Sequence, residues 1–361
     1  MSKTLFTPGP TNVPQFVRDV LGRDLIHHRM ADYHQLLKDI NEDLKVVFGT
    51  KNDVLVVTSS GTGAMESTVA NFFSQGDSVL VINTGWFGKR FIEICNIYGL
   101  NVHELCYEWG KTYNFHEVEE VLEQYPEIKG IFVTYHETST GVLNDLKSLG
   151  QLTRDRDCLL IADCISGMIV HEFHLDKWGV DCAVASSQKG FLLPPGLSFV
   201  ALSDKAKLAM ERSNLPKYYW DYKKYFKSFN EKYEQPFTPA ISIVVALRES
   251  LRYLLDKGLA TVVEEKRMLR KYTEEKLQAL GFKLFIEDDS IRGNVLIPVI
   301  VPEEIDGRQL TAMIDERHDF TVAGGMGEYA GKMLRVGILS DVTTKEIDLL
   351  ASYIEESLLE L

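Results

Sequence analysis

The sequence predicts an α/β fold built on a mainly parallel sheet with helices on both faces, and three observations predict it. Between about residues 50 and 205, seven short apolar runs alternate with helical patterns. The runs are nearly continuous in apolar residues rather than alternating, as in strands buried on both faces, and the helices between them fit βαβ winding. From about residue 241 the pattern changes to long helices and two further strands, which predicts a smaller α+β domain.

Val54-Leu55-Val56-Val57 reads as the first strand, followed by Ser59-Ser60-Gly61-Thr62-Gly63 and a helix from about Ala64 to Phe73. Val79 to Ile82 is the next strand, with a helix through Phe91, Ile92, Ile94 and Cys95 behind it. Strands follow near Val102 to Cys106, Gly130 to Thr134, Leu159 to Ala162, Cys182 to Ala185 and Ser198 to Leu202. The stretch Lys217 to Tyr233, crowded with Tyr, Lys and Phe, has little pattern and reads as a long loop over a cleft or interface. Ile241 to Leu255 and Ala260 to Leu280 read as helices, and Asn294 to Val301 and Met333 to Ile338 as strands. Thr343-Thr344-Lys345-Glu346 opens the last helix with a capping box.

The 361 residues carry 39 Lys and Arg against 52 Asp and Glu, a formal net charge of −13, with 45% hydrophobic residues. Such acidity argues against nucleic acid or an anionic membrane as the main partner, so an anionic ligand needs a local cationic site. No apolar run reaches the length of a membrane span, and the start lacks a secretory signal. Five cysteines without CxxC spacing read as reduced thiols, mostly buried, of a cytoplasmic protein with no metal site.

Three segments carry candidate chemistry. The turn Ser60-Gly61-Thr62 lies between a strand and a helix, where free N–H groups attract a phosphate. Ala64-Met65-Glu66 excludes a Walker loop, and Glu66 and Asn83 stand where a dinucleotide fingerprint needs glycine and an acid. Asp163 ends an apolar strand, where it could hold a heteroaromatic ring nitrogen protonated. Lys189 follows another such strand among small residues, where partial burial favours the neutral amine that forms a Schiff base. Each alone has an ordinary explanation: a tight turn, a capping Asp, a solvated Lys. Together they are the parts a protein supplies to pyridoxal 5'-phosphate.

The chain resembles the class V, fold-type I pyridoxal-phosphate aminotransferases of the alanine–glyoxylate and serine–pyruvate type. The resemblance rests on Thr7-Pro8-Gly9-Pro10-Thr11-Asn12-Val13-Pro14, Ser60 to Glu66, Gly85-Trp86-Phe87-Gly88-Lys89-Arg90 and His136 to Leu143. It continues through Asp163, Ser186-Ser187-Gln188-Lys189, Pro194-Pro195-Gly196, Leu247-Arg248-Glu249-Ser250 and Leu334-Arg335-Val336-Gly337. The resemblance implies a seven-stranded sheet in a large domain (21–250), a small domain (251–361) joined by the N-terminal segment (1–20), and a homodimer with shared active sites. It makes Lys189 the Schiff-base lysine and proton-transfer base, and Asp163 the partner of the ring nitrogen. Ser60, Gly61 and Thr62 would bind the phosphate, Gln188 would lie beside it or the ring hydroxyl, and Thr138 would lie near that hydroxyl. Thr238 would reach the phosphate of the partner subunit, while Arg335, with Gly9 nearby, would bind the substrate carboxylate.

Two positions depart from the family pattern. Phe87 stands in the ring-stacking slot often held by Trp, with Trp86 one residue earlier, and Gln235 replaces an interface Tyr, for which Tyr233 could substitute. Arg29 reads better as an ion pair than as a substrate contact, and His136 equally as a core histidine or a cofactor neighbour. The implied reaction is transamination from alanine or serine to glyoxylate or pyruvate. A 2-aminoethylphosphonate–pyruvate transaminase and a ureidoglycine–glyoxylate transaminase are the alternatives. A cysteine desulfurase lacks its C-terminal nucleophile here, since the last cysteine is Cys182. A non-catalytic subunit would have no use for Lys189, Asp163 and Arg335 together.

Overall fold

The structure, a computed structural model, describes residues 3–361. In chain order its strands are β1 (Thr4–Phe6), β2 (Val54–Ser59), β3 (Ser78–Asn83), β4 (Asn101–Cys106) and β5 (Ile128–Thr134). A two-stranded hairpin, β6 (His136–Glu137) and β7 (Val142–Leu143), precedes β8 (Leu159–Asp163), β9 (Cys182–Ser186) and β10 (Gly196–Leu202). The last four are β11 (Lys283–Leu284), β12 (Leu296–Ile300), β13 (Phe320–Gly324) and β14 (Met333–Gly337).

The seven apolar runs form one sheet in the order β2-β10-β9-β8-β5-β3-β4, parallel except where β10 pairs antiparallel with β2 and β9. Successive side chains divide between its two faces. Val54, Val56, Leu160, Ala162 and Phe199 face one apolar core, and Leu55, Val57, Leu159, Ile161 and Val200 face the other. Both faces are dry, so the strands need not alternate with polar residues.

A second sheet, in the order β1-β13-β14-β12-β11, has its own core around Phe6, Val299, Leu310, Val336 and Ile354. Residues from the start of the chain complete it: β1 runs parallel to β13, with Thr4 opposite Phe320. The capping box forms as expected, Thr343 Oγ1 accepting from Glu346 N at 3.3 Å and Thr343 N donating to Glu346 Oε2 at 2.7 Å.

The expected loop from Lys217 to Tyr233 is corrected. Its second half is the helix Tyr222–Lys232, capped by the Asp221 side chain on Lys223 N. Its buried stripe consists of Tyr222 and Tyr225, whose tyrosine rings carry the apolar face in place of aliphatic residues. Four of the five cysteines are buried, while Cys106 is exposed at the end of the edge strand β4.

Candidate active site

The C-terminal ends of β5, β8 and β9 lie side by side, with Thr134 opposite Asp163 and Asp163 opposite Val184. Asp163 is only 3% exposed, and its Oδ1 accepts from Ile165 N at 2.9 Å. Burial raises its pKa from 3.8 to about 7; the hydrogen bond from Ile165 opposes the rise, as do the charges of Lys189 and Arg90.

Lys189 stands in the turn after β9. Its Nζ donates to Pro8 O at 2.5 Å. A side chain on Gly9, whose φ is +117°, would place Cβ 2.5 Å from Lys189 Cδ, so glycine is required for this approach. Burial lowers the lysine pKa from 10.5 to about 8; Asp163 opposes the fall and the Arg335 charge adds to it.

Ser60 caps the helix Gly61–Phe72, its hydroxyl accepting from Gly63 N at 3.2 Å. The first N–H groups of such a helix have no intrahelical acceptor and carry its positive end. A Cβ on Gly61 would lie 2.6 Å from Ile165 Cδ1, so this turn packs directly on the one that carries Asp163. Thr62 Oγ1 accepts from Arg90 Nη1 at 3.0 Å, and the Arg90 guanidinium lies 4.8 Å from the centre of the Phe87 ring. Trp86 faces elsewhere, toward the turn at Gly327. Phe87, rather than Trp86, is thus the ring of this helix on the side of the Ser60-Gly61-Thr62 turn, and Trp220 packs on the same turn, 2.6 Å from where a Cβ on Gly63 would lie.

Glu137 fixes the helix that carries Phe87. It is fully buried, and its Oε2 accepts from Phe87 N at 3.0 Å and Gly88 N at 3.1 Å. Its Oε1 accepts from Ser139 N at 3.1 Å and Ser139 Oγ at 2.6 Å. Burial still raises its pKa, against these four donors. Next to it, Thr138 O accepts from Arg335 Nη1 at 2.9 Å, while Arg335 Nε donates to Gly324 O at 2.8 Å. Two backbone carbonyls thus pin Arg335, leaving the remaining N–H groups of its fork without a hydrogen-bond partner among the described residues. Its burial lowers its pKa from 12.5 to about 10. Gln188 accepts from Ser186 Oγ.

Lys189, Asp163, Gly9, Gly61, Thr138, Gln188 and Arg335 thus belong to one connected cluster. Thr238 does not join it within the single chain. It is exposed, on a segment tied down by Arg29–Glu234 at 2.6 Å and by Tyr33 Oη donating to Gln235 Oε1 at 2.8 Å. Arg29 is a structural ion pair, Gln235 is buried, and Tyr233 is exposed. His136 is a buried core histidine. Sequence reasoning missed the roles of Glu137 and Arg90, although an acid in a run of small residues is a signal for the first. Among the described residues no cluster of His, Cys, Asp and Glu could hold a metal ion, and no helix is long and apolar enough to cross a membrane.

The whole fold is that of solved aminotransferases. An alanine–glyoxylate aminotransferase from Nostoc superposes with a TM-score of 0.95 at 30% identity, covering 99% of this chain and 96% of that one. A ureidoglycine–glyoxylate aminotransferase from Bacillus subtilis gives 0.96 at 27% identity, covering 100% and 94%. The class V aminotransferase family model matches residues 7–350, and the chain belongs to that family. Among relatives, the alanine–glyoxylate aminotransferase of Callithrix jacchus is 32% identical over 99% of this chain and 88% of its own. The serine–glyoxylate aminotransferase of Methylorubrum extorquens is 32% identical, over 96% and 88%. A protein of Synechococcus named as the small subunit of a soluble hydrogenase is 34% identical, over 99% and 93%.

Proposed function

We propose that this aminotransferase binds pyridoxal 5'-phosphate and moves an amino group from alanine or serine to glyoxylate or pyruvate. The residues fit the cofactor. Asp163 is a buried carboxylate raised to about 7, which a protonated ring nitrogen would satisfy, and Lys189 is an amine lowered to about 8. Gly9 and Gly61 leave room where any side chain would collide. When bound, the cofactor supplies an aldehyde and an electron-withdrawing ring.

The chain's own groups do the rest. Ser60, Gly61 and Thr62 bind the phosphate at the helix N-terminus, and Thr238 reaches the phosphate of the partner subunit in a homodimer. Phe87 would offer the cofactor an aromatic face, and Gln188 and Thr138 would supply hydrogen-bonding groups to its phosphate and ring hydroxyl. Asp163 keeps the ring nitrogen protonated. Arg335, held by Thr138 O and Gly324 O, takes the substrate carboxylate with two parallel N–H groups and orients the α-carbon. The Lys189 amine then moves the α-proton, and its lowered pKa keeps a useful fraction neutral near pH 7. The N-terminal segment (1–20) joins the small domain (251–361) beside the large one (21–250), which the pairing of β1 with β13 supports. Unpaired thiols suit the cytoplasm.

The observation that carries the reading is a buried Lys189 amine, held by Pro8 O, within electrostatic reach of the buried Asp163 carboxylate beyond the ends of adjacent strands. Borohydride reduction of the holoprotein followed by peptide mapping should place the reduced cofactor on Lys189; an adduct elsewhere, or none, overturns it. A panel of alanine, serine, aspartate, ureidoglycine and aminoethylphosphonate, scored by loss of the cofactor's absorbance band, should show alanine or serine discharging it. Discharge by aminoethylphosphonate or ureidoglycine alone would move the assignment to that donor.

A further inference from the structure

Behind Thr138 lies a buried polar group of residues that the reaction above does not use. Ser166 stands three residues beyond Asp163, and its hydroxyl has three neighbours: His136 O at 2.9 Å, His136 Nδ1 at 3.0 Å and Thr138 Oγ1 at 3.1 Å. All the participants are buried, so water cannot complete the set. A serine hydroxyl has one proton and two lone pairs. A carbonyl oxygen can only accept, so the Ser166 proton must go to His136 O. The other two neighbours must then donate to Ser166. One assignment alone makes all three contacts hydrogen bonds: His136 is protonated on Nδ1, and the Thr138 hydroxyl proton points at Ser166.

The surroundings agree with this assignment. His136 Nε2, left with a bare lone pair, is buried without a hydrogen-bond partner. A Cβ on Gly293 would lie 2.5 Å from that nitrogen, so glycine there leaves the ring its place. His171 stacks on His136 with ring centres 5.5 Å apart; its Nδ1 bonds to Gly167 O and its Nε2 accepts from Asn294 N, so it offers His136 no proton. Burial keeps both imidazoles neutral.

We propose that Ser166, backed by His136, is a positioning residue that commits the Thr138 hydroxyl proton away from the cofactor, so that Thr138 meets the ring hydroxyl as an acceptor and not as a donor. This rests on the cofactor reading above, in which Thr138 lies at the ring hydroxyl. The same serine ties the turn that carries Asp163 to the loop that carries Thr138. The partners of the ring nitrogen and of the ring oxygen are therefore joined through one side chain.

Ser166→Ala frees the Thr138 proton to donate to the ring oxygen, which stabilises its anionic form. The midpoint of the holoenzyme's absorbance band against pH should fall by about one unit, the scale of a hydrogen bond to a charged oxygen. In a Thr138→Val background the same change should leave the midpoint where Thr138→Val alone puts it. An unchanged midpoint in Ser166→Ala, or an equal shift in both backgrounds, overturns the proposal. A readout without cofactor is nitrogen NMR of the cofactor-free protein, in which His136 should show a protonated Nδ1 and a bare Nε2. The reverse tautomer overturns the assignment even if the protein proves to bind no pyridoxal phosphate. Absence of a cofactor band in the reconstituted wild type would instead refute the parent reading.

Discussion

The reactivity of Lys189 can be predicted from its surroundings before any cofactor is added. Burial lowers its pKa from 10.5 to about 8. At pH 7 an amine of pKa 8 is about 9% neutral, and one of pKa 10.5 about 0.03%, so burial raises the reactive fraction about 300-fold. Cofactor-free protein is treated with a small aldehyde and cyanoborohydride across pH 6 to 11, and the modified peptides are quantified by mass spectrometry. Labelling of Lys189 should rise about tenfold from pH 6 to 7 and level off above about 8. A free lysine derivative added as an internal control, with the ordinary amine value of about 10.4, should go on rising to about pH 10. The neighbours set the sign of two further shifts. Asp163→Asn removes the anion that holds the proton on, so the midpoint falls; Arg335→Gln removes a repelling cation, so it rises. A Lys189 midpoint at or above 10, or shifts of the opposite sign, would refute the claim that burial sets this amine.

Glu137→Gln keeps the shape but turns an NH₂ toward two N–H donors, so two charge-assisted bonds are lost; urea unfolding should show a loss of about 3 kcal/mol, and a change below 1 would contradict the role as a helix anchor. The folded-state pKa of Asp163 is raised, so the folded protein holds this proton while the unfolded chain has lost it, and its contribution to stability falls as pH rises from about 4 to about 7. Cofactor-free wild type should therefore lose stability relative to Asp163→Asn across that window, by at most about 4 kcal/mol; parallel curves would count against it. Gly9→Ala forces a positive φ on a side chain that also strikes Lys189; it should cost about 1 to 2 kcal/mol in unfolding experiments and depress Lys189 labelling, and wild-type labelling would show that the approach is not tight.

How much of this was legible beforehand follows from where each signal lies. Six of the seven strands of the large sheet could be read because both its faces are apolar there, so each is a near-continuous run bounded by polar turns, while the half-exposed edge strand β4 shows only Val102, Leu105 and Cys106 among polar residues. Lys189, Asp163 and the Ser60-Gly61-Thr62 turn could be singled out because each stands at or just beyond the C-terminal end of such a run. The helix Tyr222–Lys232 was hidden because tyrosine rings, rather than aliphatic residues, form its buried face. The contribution of β1 to the distant sheet was hidden too: a pairing between Thr4 and Phe320 leaves no local trace. Ser166 and Glu137 could be noticed but not interpreted, because their partners come from other loops and only the fold brings these together.

The N-terminal segment shows why the site needs residues from both ends of the chain. β1 anchors it on β13, and Asn12 fastens it back on itself, accepting from Leu5 N at 2.7 Å and donating to Lys3 O at 2.9 Å. Two residues past Arg335, Gly337 lets this segment run against β14, since a Cβ there would lie 2.2 Å from the Thr7 carbonyl. The next residue, Pro8, offers its carbonyl to Lys189. That carbonyl belongs to the Pro8–Gly9 peptide, and the glycine on its far side allows the approach. The strand that carries Arg335 and the turn that carries Lys189 are thus linked through residues 7–9. The position of Arg335 and the approach of the Pro8 carbonyl to the Lys189 amine are therefore joined by backbone packing, which a glycine at 337 and a glycine at 9 make close.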